Sequence, residues 1–270
     1  MVHDANQSPK SNTEGGIQSV ARALSILELF DDRRPLITTN EIASLTGLNR
    51  GTAYRFCQTL RKLGYLEEVR QSTFRPGLKV LSLAQAALGG RGLVDLATPR
   101  LQQLRHDTGE TVNLAQPDGN EVVYVARLLN DDLLALRLVV GSRLPMVSSS
   151  LGRAILAFMP PDARDAVLDS SDFPKLTTHT LTDRARLMDR LKEIRERGYA
   201  LNDQEVAVGV RGVAAPVLGA GGVPIASINL SIARPLSTED LEKLTPMLLD
   251  AARDIGRRVE SIDKFGEQVS

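Results

Sequence analysis

Residues 38–66 read TTNEIASLTGLNRGTAYRFCQTLRKLGYL, a stretch with two short helical patterns and a tight turn between them. Its first four residues form a capping box, because a Thr side chain can cap a backbone amide while Glu41 reaches back. Gly47 supplies the left-handed conformation that commonly ends a helix. Asn49 can then cap a second helix, whose polar face carries basic residues. The stretch therefore predicts two short helices joined by a three-residue turn.

The flanking residues extend this pair of helices into a small module. Upstream, apolar residues recur at spacings of three and four, which is typical of one helix face. Downstream of Gly64, Leu66, Val69 and Phe74 surround a polar tip and predict a β-hairpin. The predicted helices are 19–30, 39–46 and 50–63. Three helices and a hairpin make a winged helix-turn-helix, which is typical of DNA-binding domains, whereas a three-helix bundle without a DNA role is the alternative.

The distribution of charge favours a DNA-binding module more than the total charge does. The 270 residues carry 33 basic and 33 acidic side chains, so the formal net charge is zero. Residues 17–80 carry a net charge of +4, residues 81–270 carry −3, and residues 49–62 hold four bases and no acid. Attraction to phosphate is local, since salt screens it beyond about 8–10 Å. A basic module joined to an acidic one therefore fits the composition, and a solvated helix face is the alternative.

Eight side chains in this module are candidates for contact with DNA. Arg can hold guanine through two hydrogen bonds, Asn can hold adenine in the same way, and hydroxyls and cations bind phosphate. The first candidates are Arg50, Thr52 and Arg55, together with an arginine of the wing. The full set is Thr39, Asn49, Arg50, Thr52, Tyr54, Arg55, Arg70 and Arg75.

Composition excludes several classes of protein. Hydrophobic residues make up 42% of the chain, which is enough for a buried core. The single cysteine, Cys57, lies on an apolar helix face and excludes a disulfide framework, and His3, His106 and His179 have no metal-ligand spacing. No run of about 18 apolar residues and no signal-peptide pattern occurs. We therefore expect a cytoplasmic protein with no membrane segment, no metal and no cofactor.

The chain is predicted to have four parts. A polar tail (1–16), expected to be disordered, precedes the winged helix-turn-helix domain (17–76). A linker (77–92) follows, and residues 93–270 form a second domain. The linker contains a nearly all-apolar helix (77–88), which must be covered either by its copy in a second subunit or by its own chain.

The second domain combines helices with antiparallel strands, which predicts an α+β class built on one sheet. The predicted strands are 111–115, 121–128, 133–139, 206–210, 213–217 and 224–232. The predicted helices are 93–107, 151–158, 162–168, 182–197 and 238–262. No nucleophile elbow, phosphate loop or pair of catalytic carboxylates occurs there, so we expect no enzyme. Asp203 and Glu205 are interpreted as a charged loop or an interdomain contact rather than a catalytic pair.

Ordered motifs along residues 17–260 resemble those of the IclR-type bacterial transcription regulators. In the first domain the resemblance covers residues 36–66. In the second domain the motifs are LPM (144–146), SLGRAILA (150–157), RGYALNDQE (197–205) and GVRGVAAPV (209–217). The motifs NDQE and AAPV resemble most the branch that regulates aromatic-acid catabolism through the β-ketoadipate pathway.

The resemblance implies a winged helix joined through a linker helix to an effector-binding and oligomerisation domain of GAF-like α/β fold. It also implies a homodimer or a homotetramer, and a small organic acid as effector. Matched position by position, the effector pocket would use Leu133, Leu136, Ser150, Leu151, Asn202, Val210, Gly212, Asn229 and Ser231. Helix amides with Ser and Asn donors suit a carboxylate, and apolar side chains suit its carbon skeleton. Because Gly212 and Asn229 stand where Cys and Ser can occur in the family, a known ligand is not carried over.

We therefore predict a sequence-specific DNA-binding regulator. Its predicted partners are a double-stranded operator, a small organic acid (aromatic in the favoured branch) and further copies of the chain. RNA polymerase is a further candidate partner, and repression and activation are both open. Two other hypotheses compete: a metabolic enzyme in the second domain with the first as a docking module, and a helix-turn-helix protein that binds a partner other than DNA.

Overall fold

The structure is a computed structural model that describes residues 16–31, 34–88, 92–130, 138–235 and 237–267. The chain folds as two compact units, Met1–Ala87 and Leu88–Ser270. Within the described ranges, no helix has the length and apolar character needed to cross a membrane.

Three helices and a small sheet form the core of the first unit. The helices are α1 (Gln18–Leu27), α2 (Thr39–Thr46) and α3 (Arg50–Lys62). The strands are β1 (Ile37–Thr38), β2 (Leu66–Arg70) and β3 (Thr73–Pro76), in the antiparallel order β1-β3-β2. The predicted winged helix-turn-helix is confirmed. Strand β1 was not predicted, because two residues are too few to show a period of two.

The predicted caps determine where α2 and α3 begin. The Glu41 amide donates to Thr38 Oγ1, and the Glu41 carboxylate accepts from the Thr38 amide at 2.7 Å, which completes the capping box. Gly47 has a φ of 69°, the left-handed conformation that ends α2. Asn49 Oδ1 accepts from the Thr52 amide at 2.8 Å and starts α3. These local interactions set the turn between the two helices.

An apolar core holds the three helices against the wing. Its fully buried members include Ile26, Ile42, Ala53, Cys57 and Phe74. The predicted core position of Cys57 is confirmed, and burial raises the pKa of its thiol to about 11. Since the thiolate is the nucleophilic form, a thiol kept neutral in this way serves packing.

A fourth helix, α4 (Lys79–Leu88), follows the wing. Its side chains Leu81 and Leu83 are 64% and 55% exposed. Lys79 Nζ donates to the carbonyl oxygen of Leu63 at 3.0 Å, which anchors the start of α4 to the end of α3. A helix therefore occupies the predicted linker, and apolar side chains on it are uncovered in the single chain.

A six-stranded antiparallel sheet forms the centre of the second unit, in the strand order β6-β5-β4-β9-β8-β7. The strands are β4 (Thr111–Asp118), β5 (Glu121–Leu128), β6 (Arg143–Pro145), β7 (Ala200–Asp203), β8 (Arg211–Leu218) and β9 (Pro224–Ile232). The helices are α5 (Leu93–Thr108), α6 (Ser150–Leu156), α7 (Pro161–Asp169), α8 (Arg184–Arg197) and α9 (Thr238–Glu267). The predicted class of mixed helix and sheet is confirmed.

Each face of this sheet is covered by its own group of helices. On one face, α5 and α9 pack against alternate residues of the central strands, such as Val112, Val213 and Ile228. On the other face, α6, α7 and α8 pack with Ala115 and Ala214. Because side chains alternate along a strand, neighbouring positions of the central strands belong to opposite faces. The face under α6 also carries a group of buried polar side chains.

One predicted strand differs from the structure, and another falls mostly outside the described residues. The strand predicted at 206–210 is wrong, because β7 ends earlier in the chain and a turn follows it. Gln204 and Gly209 adopt φ values of 59° and 83° in this turn, outside the range of a strand. The strand predicted at 133–139 falls mostly on residues 131–137, which lie outside the described residues, and its last two residues belong to no strand. The edge strand beside β5 is β6 instead.

Candidate functional site

The outer face of α3 carries cations that no acid of the helix neutralises. Arg50 and Arg55 are exposed, and in the described part of the chain neither side chain has a hydrogen-bond or ion-pair partner. Tyr54 is exposed beside them, and the helix contains no Asp or Glu. A recognition helix of this motif contacts base edges with such side chains. Helix α3 therefore offers two free guanidinium groups and a phenol to DNA.

Asn49 and Thr52 lie at the N-terminal end of α3. The side-chain oxygen of Asn49 is used by the cap, which leaves its amide nitrogen Nδ2 for a ligand. Thr52 is half-buried. This end of a recognition helix commonly contacts bases, so both residues occupy a suitable place.

Thr39, another predicted contact, is buried. Its side chain is 1% exposed, and its hydroxyl donates to the carbonyl oxygen of Ser72 at 3.3 Å. The Thr39 amide donates to the same oxygen at 2.8 Å. Thr39 therefore ties the start of α2 to the tip of the wing, and the structure does not place its side chain at the surface.

The two predicted arginines of the wing differ in their surroundings. Arg70 is exposed and has no side-chain partner among the described residues. Arg75 is also exposed but contacts Glu67, with 2.9 Å between Nη2 and Oε2. Exposed pairs of this kind contribute little to stability, so Arg75 can exchange its partner for a phosphate. Arg70 is already free to do so.

Glu68 positions the wing relative to α3, a role that sequence reasoning missed. Its carboxylate accepts from Gln58 Nε2 at 3.0 Å and from the Ser72 amide at 2.9 Å, and Arg61 lies 3.6 Å away. The hydrogen bonds from Gln58 and Ser72 keep the pKa of Glu68 below its ordinary value. The signal in the sequence for this role was an acidic residue at the start of the predicted hairpin.

In the second unit, the predicted effector residues of β7, β8 and β9 come together on the face that α6 covers. Gly212 on β8 is the register partner of Asn202 on β7 and of Ser231 on β9. Cross-strand partners point to the same face, so these three positions lie side by side. Asn229 lies two residues away along β9, on the same face.

Asn229 is linked to a residue that sequence reasoning missed. Its Oδ1 accepts from Nδ2 of Asn113 on β4 at 2.8 Å, and both side chains are buried. The Oδ1 atom of Asn113 is buried without a hydrogen-bond partner in the described residues. An Asn inside an otherwise apolar strand was the signal for this position. The pair joins β4 to the group of predicted effector residues.

The start of α6 forms another part of the same region. Ser149 Oγ accepts from the Gly152 amide at 3.0 Å and caps the helix, and Ser150 and Leu151 are buried. The helix has seven residues. The Ser149 cap already satisfies one amide of the first turn. Binding of an anion by the other amides of this turn stays a prediction.

A buried ion pair ties α6 to the turn after β7. Arg153 is 1% exposed and its Nη2 lies 2.9 Å from Oε2 of Glu205, which is 14% exposed. The Arg153 guanidinium also donates to the carbonyl oxygen of Ser148 at 3.3 Å. Asp203 pairs with Arg211 at 2.7 Å. The predicted charged loop is therefore an ordered turn held by two ion pairs.

Val210 and Gly212 shape this corner through their backbone. Val210 is buried, and its carbonyl oxygen accepts from Asn202 Nδ2 at 3.3 Å. A Cβ on Gly212 would lie 2.6 Å from the carbonyl oxygen of Leu230, so β8 and β9 approach too closely for a side chain there. The remaining two predicted pocket residues, Leu133 and Leu136, lie outside the described residues.

A second residue that sequence reasoning missed is Arg127 on β5. It is the register partner of Asn113, and its guanidinium carbon lies 5.6 Å from the centroid of the Tyr124 ring. Its Nε and Nη1 atoms are buried without a hydrogen-bond partner in the described residues. Burial lowers the pKa of the Arg127 guanidinium. An arginine at an inward position of a strand was the signal.

A separate groove of about 630 Å³ lies between the end of α8, β8 and α9. Its lining residues are Phe158, Arg197, Gly198, Pro216, Leu218, Leu249, Asp250, Ala252, Arg253, Arg257 and Glu260. None of the predicted effector residues is among them. Among the described residues, no group of three or more His, Cys, Asp or Glu side chains is placed to hold a metal ion.

The two units define a class of protein, a DNA-binding regulator with a ligand-responsive domain. The IclR helix-turn-helix domain model matches residues 19–70, and the model of the bacterial transcriptional regulator IclR C-terminal domain matches residues 85–257. The chain belongs to the IclR family of bacterial transcriptional regulators.

Three relatives illustrate the similarity. The Pca regulon regulatory protein of Pseudomonas putida is 32% identical over 241 residues, which cover 88% of this chain and 82% of that protein. A transcriptional regulator from Rhodococcus sp. RHA1 is 36% identical, with a TM-score of 0.81 and coverage of 92% of this chain and 100% of that chain. An IclR homologue from Microbacterium hydrocarbonoxydans, solved with 4-hydroxybenzoate, is 27% identical, with a TM-score of 0.79 and coverage of 90% and 99%. The predicted family and regulatory function are confirmed.

Proposed function

We propose that this regulator binds its operator as a homodimer, through α3 and the wing of each subunit, and releases or tightens that contact when a small organic acid binds the second domain. The observation that carries the DNA-binding mode is the pair of free guanidinium groups of Arg50 and Arg55 on an acid-free helix face. Cations without a protein partner are available to a base or a phosphate.

In this proposal α3 enters the major groove. Arg50 and Arg55 hold base edges, since an Arg can bind guanine through two hydrogen bonds. Asn49, Thr52 and Tyr54 are the further contacts of α3. The wing arginines Arg70 and Arg75 bind the phosphate backbone. Thr39 is omitted because its hydroxyl is buried.

The exposed apolar side chains near the ends of the first unit support dimerisation. Val20 and Leu24 on α1 and Leu81 and Leu83 on α4 are all more than half exposed. Exposed apolar side chains that lie together mark an interaction site. A second copy of the same helices is the proposed cover, because a helix-turn-helix reader of two half-sites requires two-fold symmetry. A pair of such dimers is the tetrameric form of the same proposal.

The proposed effector is a small organic acid, with aromatic acids as the favoured class. Buried amides on the sheet face under α6 suit a polar ligand. A relative of this chain binds 4-hydroxybenzoate, and another regulates a Pca regulon. Such an acid acts by binding two arrangements of the dimer with different affinity. The proposed role is regulation without catalysis, in the cytoplasm where the DNA lies, with RNA polymerase as a candidate contact.

Arg55→Ala and Arg50→Ala are each expected to weaken operator binding by about 1–3 kcal/mol, because each removes a base contact. A gel-shift titration with the protein's own promoter fragment, repeated at several salt concentrations, measures the loss. The matched control is Arg184→Ala, which removes an exposed arginine from the second unit. Wild-type affinity in both α3 variants would exclude α3 as the reading helix, and an affinity independent of salt would exclude DNA as the partner.

Leu81→Glu combined with Leu83→Glu is expected to shift the protein from dimer to monomer, because two charges would have to be buried in the proposed interface. Sedimentation velocity over a concentration series measures the change and also distinguishes dimer from tetramer. The control is Val208→Glu, at a side chain that is 73% exposed in the turn after β7. An unchanged association constant in the double variant would contradict the proposed interface.

A further inference from the structure

The sheet face under α6 holds an arginine, Arg127, with two buried nitrogen atoms that are unpaired among the described residues. Arg127 on β5 is the register partner of Asn113 on β4, and Asn113 is the partner of Asn229 on β9. The three positions form one row on one face of three adjacent strands. Since neighbouring strands lie about 4.8 Å apart, the row spans roughly 10 Å, the length of a small organic molecule.

The Arg127 side chain is half-buried, and two of its guanidinium nitrogen atoms are shielded from solvent. Neither Nε nor Nη1 has a hydrogen-bond partner in the described part of the chain, although both atoms are buried. The Arg127 guanidinium stacks on the Tyr124 ring, whose face attracts the positive charge. A ring face does not accept two directed hydrogen bonds, so this stacking does not pair the N–H groups. Buried polar atoms normally have a hydrogen-bond partner, so two such atoms without one among the described residues indicate a ligand as their partner.

A second arginine of this domain, Arg153, shows how a guanidinium with a structural role is paired. Arg153 is almost completely buried, and it has Glu205 at 2.9 Å and the carbonyl oxygen of Ser148 at 3.3 Å. The domain thus neutralises an arginine that serves the fold. Among the described residues no acid pairs with Arg127, and Asn113 Oδ1, which also lacks a hydrogen-bond partner there, is an acceptor rather than an anion.

We propose that Arg127 is a specificity-determining residue of the effector site, where its guanidinium binds the carboxylate of a small organic acid that lies across Asn113 and Asn229. This inference rests on the proposed effector function of the second domain and adds the group that recognises charge. Guanidinium and carboxylate match in geometry and form short, charge-assisted hydrogen bonds. The site therefore selects the anion over a neutral molecule of the same shape.

Matched pairs of acid and amide test this selection. Benzoate is compared with benzamide, and 4-hydroxybenzoate with 4-hydroxybenzamide, by titration calorimetry and by the shift in Tm of the full-length protein. The wild type is expected to bind at least one acid and to bind its amide much more weakly. In Arg127→Gln the affinity for that acid is expected to fall roughly 10- to 100-fold, because a hydrogen bond to a charged group is lost. Arg127→Lys is expected to retain part of the affinity.

If Arg127 had a structural role, the free Arg127→Gln protein would have a lower Tm than the wild type. If Arg127 serves the effector, the free Arg127→Gln protein keeps or raises its Tm, since two buried nitrogen atoms without a hydrogen-bond partner have been removed. Arg143→Gln is the matched control, because Arg143 lies on the neighbouring strand β6 and pairs with Glu121 at the surface. It is expected to bind the acid as the wild type does.

Two outcomes overturn the inference and are distinguishable. Equal acid affinity in wild type and Arg127→Gln overturns the role of Arg127 and leaves the proposed effector function standing. No binding of either acid to the wild type overturns the ligand class, and with it both the role of Arg127 and the acid effector of the proposed function. The gel-shift result for α3 is independent of either outcome.

Discussion

Gly152→Ala is expected to cost at least about 3 kcal/mol of stability, at or above the upper end of the range for overpacking in a core. A Cβ on Gly152 would overlap the Cα and the carbonyl oxygen of Met146, both backbone atoms. A flexible side chain could move aside, but here the loop before α6 would have to shift as a whole. Since Met146 and α6 belong to the core that covers one face of the sheet, the second unit is expected to lose its cooperative unfolding transition.

The control for this prediction is the same substitution in open space. Gly51 lies in α3, where a Cβ would meet only Asn49 Oδ1 at an ordinary 3.6 Å. Gly51→Ala is therefore expected to stabilise the first unit by about 0.5–1 kcal/mol, the helix preference of Ala over Gly. Differential scanning calorimetry measures both changes. A Gly152→Ala protein that melts like the wild type would show that α6 does not pack against the Met146 backbone.

Glu205→Ala is expected to destabilise the protein by about 3–5 kcal/mol, because it leaves the buried charge of Arg153 without its partner. The Glu205 backbone oxygen accepts from the Thr180 hydroxyl at 2.7 Å, a contact that the alanine retains. The turn after β7 is thus still held in place, and the loss reports on the side chain. Urea unfolding followed by far-UV circular dichroism measures it.

A double replacement separates the ion pair from the space it fills. Arg153→Met together with Glu205→Leu removes both charges and keeps apolar volume, so it is expected to recover most of the stability that Glu205→Ala loses. If the double variant were as unstable as Glu205→Ala, the cost would come from lost shape or from the Ser148 hydrogen bond, and the unpaired-charge explanation would be wrong.

The first unit could be predicted from the sequence in detail. Its helix boundaries depend on local caps, namely the capping box of Thr38 and Glu41, Gly47 and the cap at Asn49. Each of these acts over three or four residues, so residues that are close in sequence are enough to predict its geometry. Burial of Thr39 could not be read in this way. Its hydroxyl meets the carbonyl of Ser72, which is 33 residues further along the chain.

The second unit shows where pattern reading fails. The hydrophobic residues of segment 206–210 suggested a strand, but Asn202 holds a turn there, with its Oδ1 accepting from the Glu205 amide at 3.1 Å and its Nδ2 donating to the Val210 carbonyl. A side chain that forms hydrogen bonds with backbone groups competes with the hydrogen bonds of the sheet. The periodicity of apolar residues contains no information about this competition. The strands flanked by clear turn signals, β5 and β9, agree closely with their predictions.

By itself, the sequence determined the winged helix, its basic α3 and the mixed class of the second unit, because local caps, helix faces and strand alternation depend on neighbouring residues. Only the tertiary structure added Asn113 and Arg127 to the polar residues that the resemblance had grouped. Asn113 and Asn229 are 116 residues apart and meet because β4 and β9 pair in one register. The same pairing sets Arg127 beside them, with two nitrogen atoms that have no hydrogen-bond partner among the described residues. A change of one residue in register would turn these side chains to the opposite face, and no pattern within one segment records that choice.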